Sequence, residues 1–196
     1  MRVRTSVLSG PEIIACNASP GSLSLGMALL MALSARLSFM TPLSPVPVTL
    51  QVAAVLLAGF LLGPRFGLLS VVFYICAGIL GAPVFAMGMG GPGIVMQPSF
   101  GYILAFPLAA WIVGALAERS PKSILRGLLI SCAGILVIYA TGAAWLAGYM
   151  ISTGASLDSA VTGAYTAGIA PFLLVDGLKG MLVAGIWAAY RSEPGK

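Results

Sequence analysis

The sequence predicts an all-α integral membrane protein: a bundle of six transmembrane helices, with N- and C-termini cytoplasmic and Gly/Pro-rich outer loops capping a pocket. Hydrophobic residues make up 59% of the chain and charged residues only 8%, with a mean hydropathy of +1.04. Globular proteins carry about 25% charged residues, so this composition indicates a polytopic membrane protein. The spacing of the apolar runs and the placement of the basic residues give the helix count and the topology.

Six apolar runs are candidates for crossing a hydrocarbon core of about 30 Å. They cover residues 23–39, 48–62, 66–80, 100–117, 123–147 and 171–190. The second and third runs are short, at about 22 Å each as helices. A merger of these two runs into one hairpin element is the alternative to two separate spans. Small residues four apart, such as Gly59 and Gly63 or Ala110 and Gly114, permit close helix approach.

The basic residues indicate which ends are cytoplasmic. With the N-terminus inside, the inner segments hold eight of the ten: Arg2, Arg4, Arg65, Arg119, Lys122, Arg126, Arg191 and Lys196. Only Arg36, near the outer end of the first run, and Lys179, inside the sixth, fall elsewhere. Cytoplasmic loops are enriched in Lys and Arg, so we expect both termini to be inside.

The domain organisation follows from these runs. We expect a cytoplasmic N-terminal tail over residues 1–21, one membrane domain over 22–191 and a short tail over 192–196. Residues 1–21 contain Arg2, Arg4 and Glu12 and lack the continuous apolar stretch and cleavage site of a signal peptide.

Three outer segments, residues 40–49, 81–99 and 148–170, contain no Lys or Arg. The first has three prolines and the second is rich in glycine. Glycine lets the backbone approach another surface closely and proline fixes turns, so we expect these segments to pack over the bundle. A packed plug and the lid of a pocket are both open interpretations.

Asp176 and Lys179 are the most informative residues, because they are three apart in the last apolar run and share one helix face. An ionisable group at membrane depth costs roughly 2.5–3.5 kcal/mol on insertion scales, so both must face protein or a water-filled cavity. Both fall in the outer half of that run, beneath segments that carry Phe85, Phe100 and Tyr102. An apolar lining with few polar groups is typical of a small-molecule pocket.

Three roles stay open for the Asp176–Lys179 pair: a structural ion pair that locks helices, a proton relay, or a site for an amide-like ligand. In the last role the carboxylate accepts from N–H groups and the ammonium donates to a carbonyl or carboxylate. Gln51 offers a donor and an acceptor at the same level, although it is equally interpreted as an interfacial polar residue.

Several function classes are excluded by what the sequence lacks. It has no histidine, which removes histidine metal sites and Ser-His catalysis. Cys16, Cys76 and Cys132 match no zinc or redox spacing. No Gly-Lys-Ser phosphate loop and no clustered basic face are present, which argues against nucleotide hydrolysis and nucleic-acid binding. We therefore expect no enzyme activity, no metal and no cofactor.

Motifs spread over nearly the whole chain resemble the BioY family, the biotin-binding S-components of energy-coupling factor (ECF) transporters. They are Pro47-Val-Thr-Leu-Gln51, Leu57-Ala-Gly-Phe-Leu-Leu-Gly-Pro-Arg65, Gly81-Ala-Pro-Val-Phe85 with its glycine-rich tail, Gly101-Tyr102 and Asp176-Gly-Leu-Lys179. The resemblance implies high-affinity biotin capture from outside and uptake across the cytoplasmic (inner) membrane.

The resemblance also assigns residues and partners. It assigns Asp176 and Lys179 to biotin, leaving open which end of biotin Lys179 meets. Further substrate-binding residues that it implies are Gln51, Phe85, Gly88, Gly90 and Tyr102. It implies docking on a transmembrane coupling protein (T-component) through Ala28 and Ala32, with a pair of ABC-type ATPases and membrane lipid as the other partners.

Three rival interpretations remain: an S-component for another vitamin such as riboflavin or thiamine, an integral membrane enzyme, and a structural subunit with the Asp-Lys pair as a lock.

Overall fold

The computed structural model describes residues 19–190, which form six α-helices and one β-hairpin. The elements are α1 (Pro20–Arg36), β1 (Ser38–Thr41), β2 (Ser44–Thr49), α2 (Gln51–Ile79), α3 (Phe100–Glu118), α4 (Ile124–Ser152), α5 (Leu157–Gly168) and α6 (Leu173–Ala189). Two 3₁₀ turns, Ala86–Gly88 and Pro92–Met96, lie between α2 and α3. The predicted helical membrane protein is confirmed. The terminal tails, with Arg2, Arg4, Arg191 and Lys196, lie outside the described residues, apart from positions 19–21.

Within the part of the chain that the structure describes, α3 and α4 are long and apolar enough to cross a membrane, and so is α2 if its 29 residues are counted as one element. The pair α5 and α6, bent by 47° at the break between them, supplies a fourth if it counts as one span. Helices α1 and α6 have 17 residues each, which gives about 26 Å of helix and falls just short of the hydrocarbon core.

Helix α2 folds back on itself at Gly63. That residue has φ 73° and ψ −177°, a conformation open to glycine, and Pro64 follows it. Gln51 and Tyr74 are hydrogen-bonded, whereas a straight helix would separate them by about 35 Å. The two arms, residues 51–62 and 64–79, therefore lie side by side as a helical hairpin. They correspond to the second and third predicted runs.

The close approach of α2 and α3 depends on the small residues that the sequence places four apart. A methyl group on Gly59 would lie 2.6 Å from the Ala110 carbonyl oxygen, and one on Gly114 would overlap the backbone of Gly63 and Pro64. The two predicted small-residue pairs thus face each other across one interface. Beyond it, α3 packs on α4, and α4 packs on both α5 and α6.

The bundle has two chemically distinct ends. The turn of α2 lies beside the end of α3, since a methyl on Gly63 would lie 2.7 Å from the Glu118 carboxylate. The start of α1 is at the same end, where Ser24 donates to the Phe66 carbonyl oxygen at 3.2 Å. The end of α6 joins them, with the Lys122 ammonium 5.1 Å from the Trp187 ring centroid. Four of the six described basic residues gather here: Arg65, Arg119, Lys122 and Arg126.

The β-hairpin was not predicted, because residues 40–49 were expected to be an irregular loop. Ser38 pairs with Thr49 and Phe39 with Val48, in antiparallel register. Alternate residues of a strand direct their N–H groups to the same edge, so Pro45 and Pro47 remove donors from one edge only. The other edge stays available to pair with β1.

The prediction for the third outer segment was wrong in the same way. Residues 148–170 were expected to be a loop, but α4 continues to Ser152 and α5 follows. Ser156 caps α5 by accepting from the Ser159 N–H at 3.3 Å, a favoured start for a helix. Its buried face carries only small residues, Ala160, Ala164 and Gly168, which permit close packing on the bundle.

Candidate functional site

A cavity lies at the end of the bundle opposite Arg65, Arg119, Lys122 and Arg126. Its volume is about 570 Å³ when the space that opens at its mouth is counted. Its polar groups come from β2, α2, α3, α4 and α6, and most of the wall is apolar. The lining residues are Val46, Pro47, Thr49, Gln51, Val52, Phe85, Ala86, Met89, Ile94, Ser99, Tyr102, Ile103, Phe106, Ile138, Tyr139, Phe172, Asp176 and Lys179.

Asp176 and Lys179 form a buried ion pair on α6, with exposed fractions of 2% and 6%. The Lys179 Nζ lies 2.6 Å from Asp176 Oδ1 and 2.5 Å from the carbonyl oxygen of Thr49. The Tyr139 hydroxyl of α4 donates to Asp176 Oδ2 at 2.8 Å. A buried charge pair is tolerated only when its other hydrogen-bonding groups are satisfied. Here α4, α6 and β2 together satisfy it.

The pair keeps hydrogen-bonding capacity for a ligand. An ammonium has three N–H donors, and Lys179 uses two of them on Asp176 and Thr49. Each oxygen of a carboxylate can accept more than one hydrogen bond, and those of Asp176 accept one each from Lys179 and Tyr139. A donor and an acceptor therefore stand side by side at the cavity wall, which suits a ligand with adjacent N–H and C=O groups.

Gln51 opens α2 at the cavity wall and is 4% exposed. Its side-chain amide donates to the Tyr74 hydroxyl on the other arm of α2. Tyr74 in turn donates to the Val84 carbonyl oxygen at 3.3 Å. This chain of hydrogen bonds fixes Gln51 relative to the loop that follows α2.

Phe85 anchors that loop over the cavity and is fully buried. Its ring stands edge-on to Tyr74, with centroids 5.4 Å apart and planes at 87°. Gly78 lies one turn further along α2, and a methyl group there would overlap the Phe85 ring. Tyr74 and Gly78 thus form a seat for Phe85, which explains how an apolar, glycine-rich segment adopts one position.

Tyr102 lines the cavity from the first turn of α3. Its hydroxyl donates to the Gly168 carbonyl oxygen at the end of α5, at 2.7 Å. Its ring lies against Gly142 of α4, where a methyl group would overlap it. Tyr102 therefore holds three helices together beside the ion pair.

The structure brings five of the predicted substrate-binding residues to one cavity: Gln51, Phe85, Tyr102, Asp176 and Lys179. It does not bring Gly88 and Gly90 there. Gly90 packs against the backbone of Ala82, and Gly88 has φ +74°, so both shape the loop. The predicted partner residues Ala28 and Ala32 are half-buried on α1 and pack against the core. All ligand and partner assignments stay predictions.

Three groups that hydrogen-bond to the predicted site residues are not identified by the sequence: the hydroxyls of Tyr139 and Tyr74 and the carbonyl oxygen of Thr49. Each tyrosine is visible in the sequence as a polar group inside an apolar run, a signal that was available. The Thr49 carbonyl is a backbone group and has no signal of its own. No group of three metal-ligating side chains occurs among the His, Cys, Asp and Glu residues of positions 19–190.

Comparison with known proteins identifies the family. The model of the BioY family matches residues 15–194. The chain belongs to the BioY family. The resemblance drawn from the motifs is thereby confirmed.

Several curated relatives of this BioY chain carry the name biotin transporter. The probable biotin transporter BioY of Pyrococcus horikoshii is 39% identical over 154 residues, which are 78% of this chain and 86% of the relative. The biotin transporter BioY of Thermotoga maritima is 37% identical over 75% of this chain and 81% of its own. The biotin transporter BioY of Rhodobacter capsulatus is 35% identical over 74% of this chain and 80% of the relative.

A solved structure shares the fold of this BioY chain. It is the crystal structure of the S-component for biotin from an ECF-type ABC transporter, with a TM-score of 0.76 and 25% sequence identity. The match covers 90% of this chain and 92% of that one. These relatives are transport proteins rather than enzymes.

Proposed function

We propose that this BioY chain is the substrate-binding S-component of an ECF-type transporter, which captures biotin with high affinity from outside and takes part in its uptake. The observation that carries this proposal is the buried Asp176–Lys179 pair in the wall of an otherwise apolar cavity. The names of the relatives and of the structural neighbour support the same ligand.

The chemistry of biotin matches the two parts of the cavity. Its ureido ring has N–H donors beside a carbonyl acceptor, which complement the Asp176 carboxylate and the free N–H of Lys179. Its thioether ring and valeryl chain are apolar and match walls such as Ile103, Phe106 and Ile138. Burying this apolar surface contributes about 25 cal/mol per Å², while the polar groups provide the selectivity.

The sidedness of the chain supports capture from outside the cytoplasmic membrane. Arg65, Arg119, Lys122 and Arg126 lie at the end opposite the cavity, and the positive-inside rule assigns that end to the cytoplasm. With this orientation both termini are cytoplasmic and the hairpin and the Phe85 loop cap the pocket on the outer side.

The energy for uptake comes from separate subunits in this proposal. The sequence has no nucleotide-binding loop, so an ABC-type ATPase pair is required together with a transmembrane coupling protein. Docking on that protein uses the α1 face with Ala28 and Ala32, where small side chains allow close helix approach. Membrane lipid covers the exposed leucines of α1 and α4.

Calorimetry on the purified, detergent-solubilised chain tests the ligand. We expect tight one-to-one binding of biotin, and no heat with riboflavin or thiamine as controls. A thermal unfolding curve measured on the same preparation establishes that the protein is folded. Absence of a biotin signal from folded protein, or a signal with a control vitamin only, would overturn the proposal.

A further inference from the structure

Tyr74 is tied to the site without lining the cavity. It lies on the second arm of α2 and is 2% exposed. Its hydroxyl accepts from the Gln51 amide and donates to the Val84 carbonyl oxygen at 3.3 Å, and its ring packs edge-on against Phe85. All three partners are in the part of the protein that surrounds the ligand pocket.

The single proton of a phenol determines how these hydrogen bonds run. Tyr74 gives its proton to the Val84 carbonyl, which has no other hydrogen bond among residues 19–190. The Tyr74 oxygen is then an acceptor toward Gln51, so Gln51 must direct its NH₂ group to Tyr74. These two hydrogen bonds assign the orientation of the Gln51 amide.

The other half of the Gln51 amide is left for the cavity. Its carbonyl oxygen Oε1 accepts no hydrogen bond within residues 19–190, although the side chain is 4% exposed and lines the cavity. Among residues 19–190, Thr41 Oγ1 is the only buried side-chain polar atom without a partner, so Gln51 Oε1 is open to the cavity, where a ligand N–H can donate to it. Gln51 is therefore prepared to accept, and the orientation comes from Tyr74.

We propose that Tyr74 is a positioning residue that makes Gln51 a hydrogen-bond acceptor and thereby sets the specificity of the pocket. Among the charged and amide groups of the cavity wall, the site then presents two acceptors, Asp176 and Gln51, and one donor, Lys179. This pattern selects a ligand with two N–H groups flanking one C=O, which is a cyclic urea. The inference rests on the proposed function and adds to it the groups that recognise each ring N–H.

A double-mutant cycle on biotin affinity tests the role of Tyr74, with Tyr74→Phe, Gln51→Ala and the combined variant. Phe keeps the ring contact with Phe85 and removes only the hydroxyl. The Gln51 amide then loses its fixed orientation, and we expect affinity to fall about five- to thirtyfold, the range for one mispaired buried hydrogen bond. Adding Tyr74→Phe to Gln51→Ala should weaken binding no further, because Tyr74 acts through Gln51.

Ser131→Ala is the matched control, since it removes a buried hydroxyl that donates to the Gly180 carbonyl oxygen at 3.3 Å away from the cavity lining. We expect it to alter thermal stability without altering biotin affinity. Independent, additive losses in the cycle would overturn the inference, because they indicate that Tyr74 supports structure only.

Ligand analogues give a second readout that needs no variant to fold. In two cyclic carbamate analogues of biotin, one or the other ring N–H is replaced by oxygen at nearly unchanged size. We expect the unaltered protein to bind each at least about tenfold more weakly than biotin, because each leaves one buried acceptor unpaired. Full affinity for either carbamate would overturn the inference while leaving biotin capture intact. Failure to bind biotin itself would remove the proposed function and the inference together.

Discussion

The ammonium of Lys179 on α6 lies 2.5 Å from the carbonyl oxygen of Thr49 at the end of β2, although 130 residues separate them in the chain. The same ammonium lies 2.6 Å from Asp176. One side chain thus joins the helix that carries the ion pair to the hairpin that borders the cavity. We therefore expect a ligand that binds Lys179 to affect the position of the hairpin as well.

The ion pair of Asp176 and Lys179 is explained either as a ligand site or as a structural lock. A single and a double substitution together distinguish the two explanations. Lys179→Met leaves the Asp176 carboxylate buried without its counter-charge, and we expect a loss of stability of about 3–5 kcal/mol together with loss of biotin binding. Adding Asp176→Asn removes the unpaired charge, so thermal stability should recover. Biotin binding, measured by calorimetry, should stay absent. Recovery of both stability and affinity in the double variant would favour the lock.

Tyr139→Phe removes the hydroxyl that donates to Asp176 Oδ2. We expect biotin affinity to fall at least about tenfold, since a hydrogen bond to a charged group contributes about 1.5–3 kcal/mol. Tyr149→Phe, on the same helix but 37% exposed, is the matched control and should bind as the unaltered protein does. Equal affinities for both variants would show that Tyr139 does not orient the carboxylate.

Gly78→Ala places a methyl group where the Phe85 ring lies, so we expect the loop over the cavity to shift and biotin affinity to drop at least tenfold. Gly185→Ala on α6 is the control, because nothing lies within 4 Å of the added methyl. Calorimetry and thermal unfolding of both variants provide the comparison. Adding Phe85→Leu to Gly78→Ala makes room for the methyl group and should restore part of the lost affinity. If the double variant binds no better than Gly78→Ala alone, the packing of Phe85 on Gly78 is not what matters for binding.

Replacing both Ala28 and Ala32 by Leu should block docking on the coupling protein while leaving biotin binding unchanged, because α1 lies apart from the cavity lining. Co-purification with a coexpressed coupling protein and ATPase pair measures docking, and calorimetry measures binding. Ala140→Leu on the exposed face of α4 is the control. If the Ala28/Ala32 variant still co-purifies with the coupling protein, the docking surface lies elsewhere on the chain.

Local hydropathy predicted most of the helices, and the basic residues predicted which end of the bundle carries the positive charge. Both signals depend only on the composition of single segments. The hairpin was missed because Pro45 and Pro47 hide the strand pattern of β2. Helix α5 was missed because small and polar residues resemble a loop when the surface they pack on is unknown. Tyr74 and Tyr139 are hydrogen-bonded to residues 23 and 37 positions away, and such pairings depend on packing that a single sequence does not express.

The turn of α2 at Gly63 and Pro64 has a consequence for membrane insertion of the nascent chain. As one straight helix, the 29 residues of α2 would be about 43 Å long, well beyond the hydrocarbon core, and Arg65 would lie near its middle. A single crossing would also reverse the direction of every later helix and send Arg119, Lys122 and Arg126 to the opposite face of the membrane. We therefore expect the turn at Gly63 and Pro64 to set the number of crossings that precede α3, and with it the direction in which the later helices cross.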